Sequence, residues 1–250
     1  MAAPITSALG RSESGSLALV VRTSFFEYTP GRRGETAAGR VGAMLRLDHV
    51  VYAVGDLDEA AVRFRKAFGL DSVAGGRHER WGTANRIVPL GDQYLELVAA
   101  LDREAAAASG FGRAVMERAD AGGGWITLAA ATDDLDGVAE RLGLEVGSGS
   151  RTRPDGEIVR WRMAGLDDPR REPWMPFFLA WDVPDQLHPG RARAGHGVRA
   201  LGVGWVEIAG DAARLGEWLG GEELPIRVID GEPGIRRVAV GTSDRETVIE

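Results

Sequence analysis

The chain has no cysteine in its 250 residues. That absence removes disulfides, a thiolate nucleophile and every Cys-ligated zinc or iron–sulfur site. Lysine is almost as scarce. Lys66 is the only one among 30 cationic side chains, and it falls on the outer face of a predicted helix, which argues against Schiff-base chemistry. Long apolar runs are missing too, so no membrane span is expected. Acidic residues exceed basic ones, 37 to 30, for a net charge of −7. A chain of that sign lacks the basic face that phosphate backbones require, so neither nucleic acid nor membrane is expected as a partner. A soluble, cytoplasmic protein is the expectation. Histidine is limited to His49, His78, His188 and His196, and any imidazole chemistry must use one of these four.

What is present is enough for a sizeable core: 44% of residues are hydrophobic. Residues 1–43 stand apart. They are rich in Ala, Gly, Ser, Thr and Arg and carry a balance of +2, which leaves about −9 for the rest. Their one apolar run, Leu17 to Val21, ends at Arg22 and is too short for a signal-peptide core. They are read as a disordered extension, with Met44 as the natural start. Deleting them is expected to leave the melting temperature unchanged.

From Leu45 onward a pattern emerges. Leu45 to Val54 is β-branched and apolar enough for a buried strand. Asp56 follows as an N-cap with Glu59 at capping-box spacing, and a helix runs to Phe68 before Gly69 stops it. Strand candidates come next at 71–74, 84–90 and 93–99, separated by turns at Gly75-Gly76 and Gly91-Asp92. After a predicted helix from Glu104 to Ala119, the order recurs. Trp125 to Ala131 reads as a strand, Asp134 as a cap and 137–142 as a helix, with strands at 144–147, 157–163 and 176–181. A third echo has a strand over 201–208, a cap at Asp211, a helix to Leu219 and strands at 225–229 and 235–240. The prediction is an α+β fold of tandem β-α-β-β-β modules with curved mixed sheets around a small-molecule cavity. Module one spans 45–100, module two 124–182 and a partial third repeat 197–250.

The densest group of polar residues is Gly75-Gly-Arg-His78, Gly82-Thr-Ala-Asn85 and Tyr94-Leu-Glu96. His78, Thr83 and Asn85 can hydrogen-bond a small ligand, so they are candidate substrate-binding residues. Glu96 sits inside an apolar run, where a carboxylate needs a partner, a metal or a raised pKa. Together with Leu47-Asp-His49, Pro176-Phe-Phe178 and His188-Pro189, these motifs resemble the glyoxalase-like group of the vicinal-oxygen-chelate superfamily. The resemblance covers residues 45–210. It implies two modules curving around a cavity, with metal ligands on the first and last strands of each. Carried over, His49 and Glu96 become metal ligands or catalytic residues, with zinc, iron, manganese or nickel as the divalent metal suited to them.

Module two departs from the pattern. Seven residues before its cap stands Thr127, where module one has His49, and 177–181 holds neither carboxylate nor imidazole. A metal shell would need His78 or His188 as further ligands. Each site residue also has a plain structural reading: a core histidine, an edge-strand carboxylate, a turn at His188-Pro189, a linker at His196. Trp161, Trp174 and Trp181 are read as core, with pocket lining as the alternative, and the arginines of 151–162 and 191–199 as a solvated face attracting an anionic substrate. Two functions stand side by side: a lyase/isomerase- or dioxygenase-type enzyme on a small oxygenated metabolite, or a non-catalytic protein that sequesters its ligand. Monomer and homodimer are both open.

Overall fold

The computed structural model describes residues 44–153, 155–243 and 245–250; the expectations for residues 1–43 fall outside them. Module one is β1 (Leu45–Ala53), α1 (Leu57–Phe68), β2 (Val73–His78), β3 (Thr83–Pro89) and β4 (Tyr94–Ala100), paired in the order β2-β3-β4-β1 with β1 parallel to β4. Two short helices, α2 (Arg103–Ala107) and α3 (Gly110–Asp120), lead to module two. That module is β5 (Gly124–Thr132), α4 (Leu135–Leu142), β6 (Val146–Thr152), β7 (Ile158–Ala164) and β8 (Phe177–Trp181), with β5 again parallel to the last strand. β1 and β5 pair antiparallel and fuse the modules into one eight-stranded mixed sheet. The sheet curls until its edge strands β2 and β6 meet, where a Cβ on Gly76 would lie 3.0 Å from the Thr152 carbonyl. The α+β fold of curved, tandem modules around a cavity is therefore observed.

Local chemistry fixes the helices. Asp56 accepts from the Asp58 and Glu59 amides at the start of α1, and Gly69 closes it in the left-handed region at φ 70°. Asp134 and Asp211 cap α4 and α5 (Ala212–Leu219) in the same way. The strands bury both faces. On the convex side Val50, Leu95, Leu97 and Leu128 pack under α1 and α4, while Val51, Val98, Ala129 and Met163 line the concave side.

The third unit continues with β9 (Ala200–Ala209), α5, β10 (Ile226–Ile229), β11 (Gly234–Thr242) and β12 (Glu246–Ile249). Its element order matches the modules but its pairing does not. The sheet runs β10-β9-β11-β12, so β9 is parallel to the strand after its helix rather than to the last strand. It adds Val206, Ile208 and Trp218 to the convex core and leaves the concave side to modules one and two. No helix among the described residues is long and apolar enough to cross a membrane.

Three local expectations change. The Gly75-Gly76 turn lies inside β2, because the Asn85 side chain crosses here and a Cβ on Gly75 would overlap its amide oxygen. The helix expected over 104–119 is two helices, since Ser109 starts a new one by accepting from the Gly112 amide. The strand expected at 144–147 begins at Val146 and extends to Thr152, which brings Arg151 into the sheet.

Candidate functional site

On β1 the side chains of Leu47 and Val50 face the convex core, so strict alternation fails between them. The cause is a β-bulge: Leu47 pairs with Ala130 and His49 with Ala129, leaving Asp48 as the extra residue. The bulge allows Asp48 and His49 to interact directly. His49 Nδ1 donates to Asp48 Oδ1 at 2.6 Å. Trp181 Nε1 and His188 Nε2 donate to Asp48 Oδ2 at 2.9 and 3.1 Å. Burial pushes the Asp48 carboxyl up, but the hydrogen bonds from His188 and His49 outweigh it and hold Asp48 well below the usual carboxylate range. An ionised Asp48 only accepts, so the proton of His49 is fixed on Nδ1 and Nε2 is left for chemistry.

Nε2 of His49 lies 3.6 Å from Glu96 Oε2. Glu96 is on β4, where Tyr94, Glu96 and Val98 turn inward and Leu95 and Leu97 outward. Its other oxygen accepts from Asn85 Nδ2 at 2.6 Å, and Asn85 is itself set by the Gly76 amide, which donates to its Oδ1 at 2.9 Å. The Tyr94 ring stacks on the His49 imidazole, centroids 4.5 Å apart. Burial, with the charges of Asp48 and Glu96, raises the Tyr94 phenol well above its usual range, so it remains a donor at neutral pH.

The structure brings four of the sequence candidates, His49, His78, Asn85 and Glu96, into one cavity. Thr83 is buried behind it, 3.2 Å from His78 Nδ1, and orients that ring instead of lining the space. Burial lowers the His78 pKa, against the pull of Glu96. His188 stands beneath Asp48 with both nitrogens engaged, since its Nδ1 accepts from the Gly190 amide at 3.1 Å. His196 ties the Asp71 amide to the Pro89 carbonyl, which makes it structural. Module two supplies an aromatic and apolar wall: Trp161, Met163, Phe177, Leu179 and Trp181. Trp174 lies in the convex core instead. Thr127, the counterpart of His49, accepts from Arg171 Nη1 at 2.9 Å.

The sequence reading gave Asp48 no role and gave Arg151 only a share in a solvated face that attracts an anionic substrate. Asp48 stood inside a quoted motif, but only the bulge reveals its place. Arg151 was placed on a solvated face, yet it is 7% exposed. The signal for it was the run Gly149-Ser-Arg151-Thr, whose alternation would have turned Arg151 inward had the strand been extended.

A metal shell finds little support in the donors. Among the described residues no group of three or more His, Asp or Glu is placed to hold a metal ion. His49 Nε2 and Glu96 Oε2 form a pair, and the nitrogens of His188 are committed elsewhere. This donor set does not fit a divalent metal.

A curved sheet of two β-α-β-β-β modules around a polar-floored cavity defines a class, and comparison with known proteins agrees. The model of the glyoxalase-like domain family matches residues 47–222, and the chain belongs to that family. Among solved structures it is similar to a hypothetical protein from Staphylococcus aureus, with 18% identity over 76% of this chain and 87% of that one, at a TM-score of 0.61. It is also similar to methylmalonyl-CoA epimerase from Mycobacterium tuberculosis, with 23% identity over 55% of this chain and 88% of that one, at a TM-score of 0.40. No curated protein matches its sequence.

Proposed function

We propose that the protein is an enzyme of the lyase or isomerase type that enolises a small oxygenated metabolite by acid–base chemistry. The observation that carries this reading is the buried chain Asp48–His49–Glu96–Asn85, in which two proton-transfer groups stand 3.6 Å apart inside one cavity. In this reading Glu96, held by Asn85, takes the proton on the carbon beside a carbonyl. His49 Nε2 then takes the proton of a hydroxyl on that carbon and passes it to the enolate oxygen, ionised Asp48 stabilising the imidazolium in between, and Glu96 returns its proton to the former carbonyl carbon. The neutral Tyr94 phenol is a donor for the enolate oxygen. Because Glu96 and His49 stand side by side, both work on one face of the substrate. That favours proton transfer between neighbouring atoms over a two-base inversion, which needs groups on opposite faces. Of the two reaction types the motifs allow, an acid–base pair supports the lyase/isomerase type over the dioxygenase type.

The test is hydrogen exchange in D2O. Proton NMR follows loss of the signals beside the carbonyl of pyruvate, 2-oxobutyrate and hydroxyacetone. Protein-dependent exchange is expected for at least one, falling about 100-fold or more in Glu96→Gln and in His49→Gln. Exchange that survives both substitutions refutes the assignment. A second reading, ligand sequestration without turnover, draws on the apolar wall of module two; it predicts saturable binding with no exchange above the buffer rate.

A further inference from the structure

Arg151 is buried to 7% exposure and, among the described residues, has neither a hydrogen bond nor an ion pair. Its aliphatic stem packs over Gly76, where a Cβ would stand 3.3 Å from the Arg151 Cδ. The guanidinium is therefore carried across the seam between β2 and β6 into the cavity that holds His49, His78 and Glu96. Two outer openings, of about 500 and 430 Å³, flank that cavity, and Arg151 lines both of them as well. One is further lined by Arg153, Arg191, Arg193 and Asp155, with Arg153 paired to Asp155 and Arg191 to Asp92; the other is lined by Arg77, Arg80 and Glu79. The inner space is small, about 40 Å³.

A guanidinium in that position is unusual for a protein interior. Buried charges are ordinarily paired, because removal from water is costly. Glu96 and Asp155 are the carboxylates that act on it, yet among the described residues neither forms an ion pair with it: one Glu96 oxygen is taken by Asn85, and Asp155 pairs with Arg153. Burial pulls the Arg151 guanidinium below its usual range, with Tyr94 and Glu96 opposing that shift. A guanidinium without a protein partner, whose fork of donors fits planar oxyanions and which stands where the cavity meets its two openings, is placed to take an anion from the ligand.

We propose that Arg151 is the specificity residue of this cavity and that the ligand is a small carboxylate, of 2-oxo acid size, whose carboxylate pairs with the Arg151 guanidinium. The substrate class rests on the acid–base reading above, but the recognition step does not require turnover. A carboxylate bound at Arg151 extends inward from the β2–β6 seam, so its 2-oxo group and the carbon beyond face Glu96 and His49. Arg77, Arg80 and Arg193, which have no ion pair among the described residues, draw anions toward the two openings.

The experiment is a binding titration on the full chain, read from the indole NMR signals of tryptophans that line the cavity, Trp161 and Trp181 among them. The probes are pyruvate, its neutral isostere pyruvamide and inorganic phosphate, against wild type, Arg151→Met and Arg151→Lys. Wild type is expected to bind pyruvate at least tenfold tighter than pyruvamide, and Arg151→Met to lose that preference while binding pyruvamide unchanged. Arg151→Lys, which keeps the charge without the fork, is expected to fall between them. If Arg151→Met fails to fold, Arg151→Lys and the pyruvate-to-pyruvamide ratio in wild type decide. Equal binding of the two probes, no saturation by pyruvate, or a preference surviving in Arg151→Met overturns the proposal. Tighter binding of phosphate than of pyruvate overturns the carboxylate assignment. Pyruvate binding with no hydrogen exchange counts against the acid–base reading alone and leaves this one standing.

Discussion

Asp48→Asn is the substitution that tests the floor of the site most severely. It keeps the shape of the side chain and removes the charge, so its cost follows from hydrogen bonds alone. Asp48 Oδ1 accepts from His49, and Oδ2 accepts from both Trp181 and His188. An amide oxygen placed toward His49 turns the NH2 group toward two donors. His188 can escape by changing tautomer, but its Nδ1 then carries a proton against the Gly190 amide that it now accepts from. Trp181 has no such escape, because its indole only donates. One stranded buried donor costs about 1–3 kcal/mol, and weakening two charge-assisted bonds to neutral ones adds about 1 kcal/mol. Relief from burying a carboxylate works the other way, but the depressed pKa shows that the hydrogen bonds win. A net loss of about 3 kcal/mol is expected, or about 6–12 °C in melting temperature for a chain of this size.

Thermal unfolding followed by circular dichroism at pH 7 measures it, with exposed Asp92→Asn as control. The pH dependence supplies a second check. The folded pKa of Asp48 lies below the unfolded one, so its contribution is complete above about pH 4 and is lost as pH falls further. The gap between wild type and Asp48→Asn should therefore narrow on acidification below about pH 4. A melting temperature within about 2 °C of wild type at pH 7, or a gap that holds constant into acid, refutes a stabilising role for the three hydrogen bonds to Asp48.

Gly75→Ala should displace the Asn85 amide, since the new methyl overlaps its oxygen, and cost about 1–3 kcal/mol in urea unfolding. Retention of the native Asn85 side-chain amide signal in NMR would contradict the close approach. Arg171→Met removes the donors that hold the carbonyls of Gly165, Leu166 and Met175 and the hydroxyl of Thr127, so a loss of about 3 kcal/mol is expected. Chemical denaturation measures it, and a change under about 1 kcal/mol would show that water replaces the guanidinium. Elemental analysis of protein purified without chelator should find zinc, iron, manganese and nickel well below one per chain, with no rise in melting temperature on adding any of them. Stoichiometric metal that disappears in His49→Ala would overturn the reading of the donor set.

Periodicity made the scaffold legible, because caps and alternation act locally. The three Asp N-caps, Asp56, Asp134 and Asp211, locate helices that the structure contains. His49 and Glu96 were legible for a related reason, as polar residues inside apolar runs where burial demands a role. What escaped depended on pairing. The bulge that frees Asp48 is a mismatch between β1 and β5, and neither strand announces it alone. Gly75-Gly76 has the composition of a turn, yet its purpose is to let the Asn85 side chain pass. Likewise β9 and β10 carry the same pattern as a first and second strand of the other modules, and only hydrogen bonding reveals that they are neighbours.

The duplication that builds the cavity also explains its asymmetry. Each module supplies one concave wall, but the cavity needs a polar floor only once. Module one contributes Asp48, His49, Asn85 and Glu96, and β6 of module two contributes the single cation, Arg151. In the position corresponding to His49, Thr127 is bound to Arg171, whose guanidinium also holds the carbonyls of the 165–175 loop. A histidine at 127 would therefore meet a structural cation before it met any ligand. The second half of a symmetric metal shell is thus filled by a loop anchor, and the wall it left apolar is the side against which a small ligand would pack in the proposed function. Acid–base groups on one wall and an apolar surface with one anion-binding arginine on the other are what an enolising site requires: proton transfer at one end of the ligand and orientation at the other.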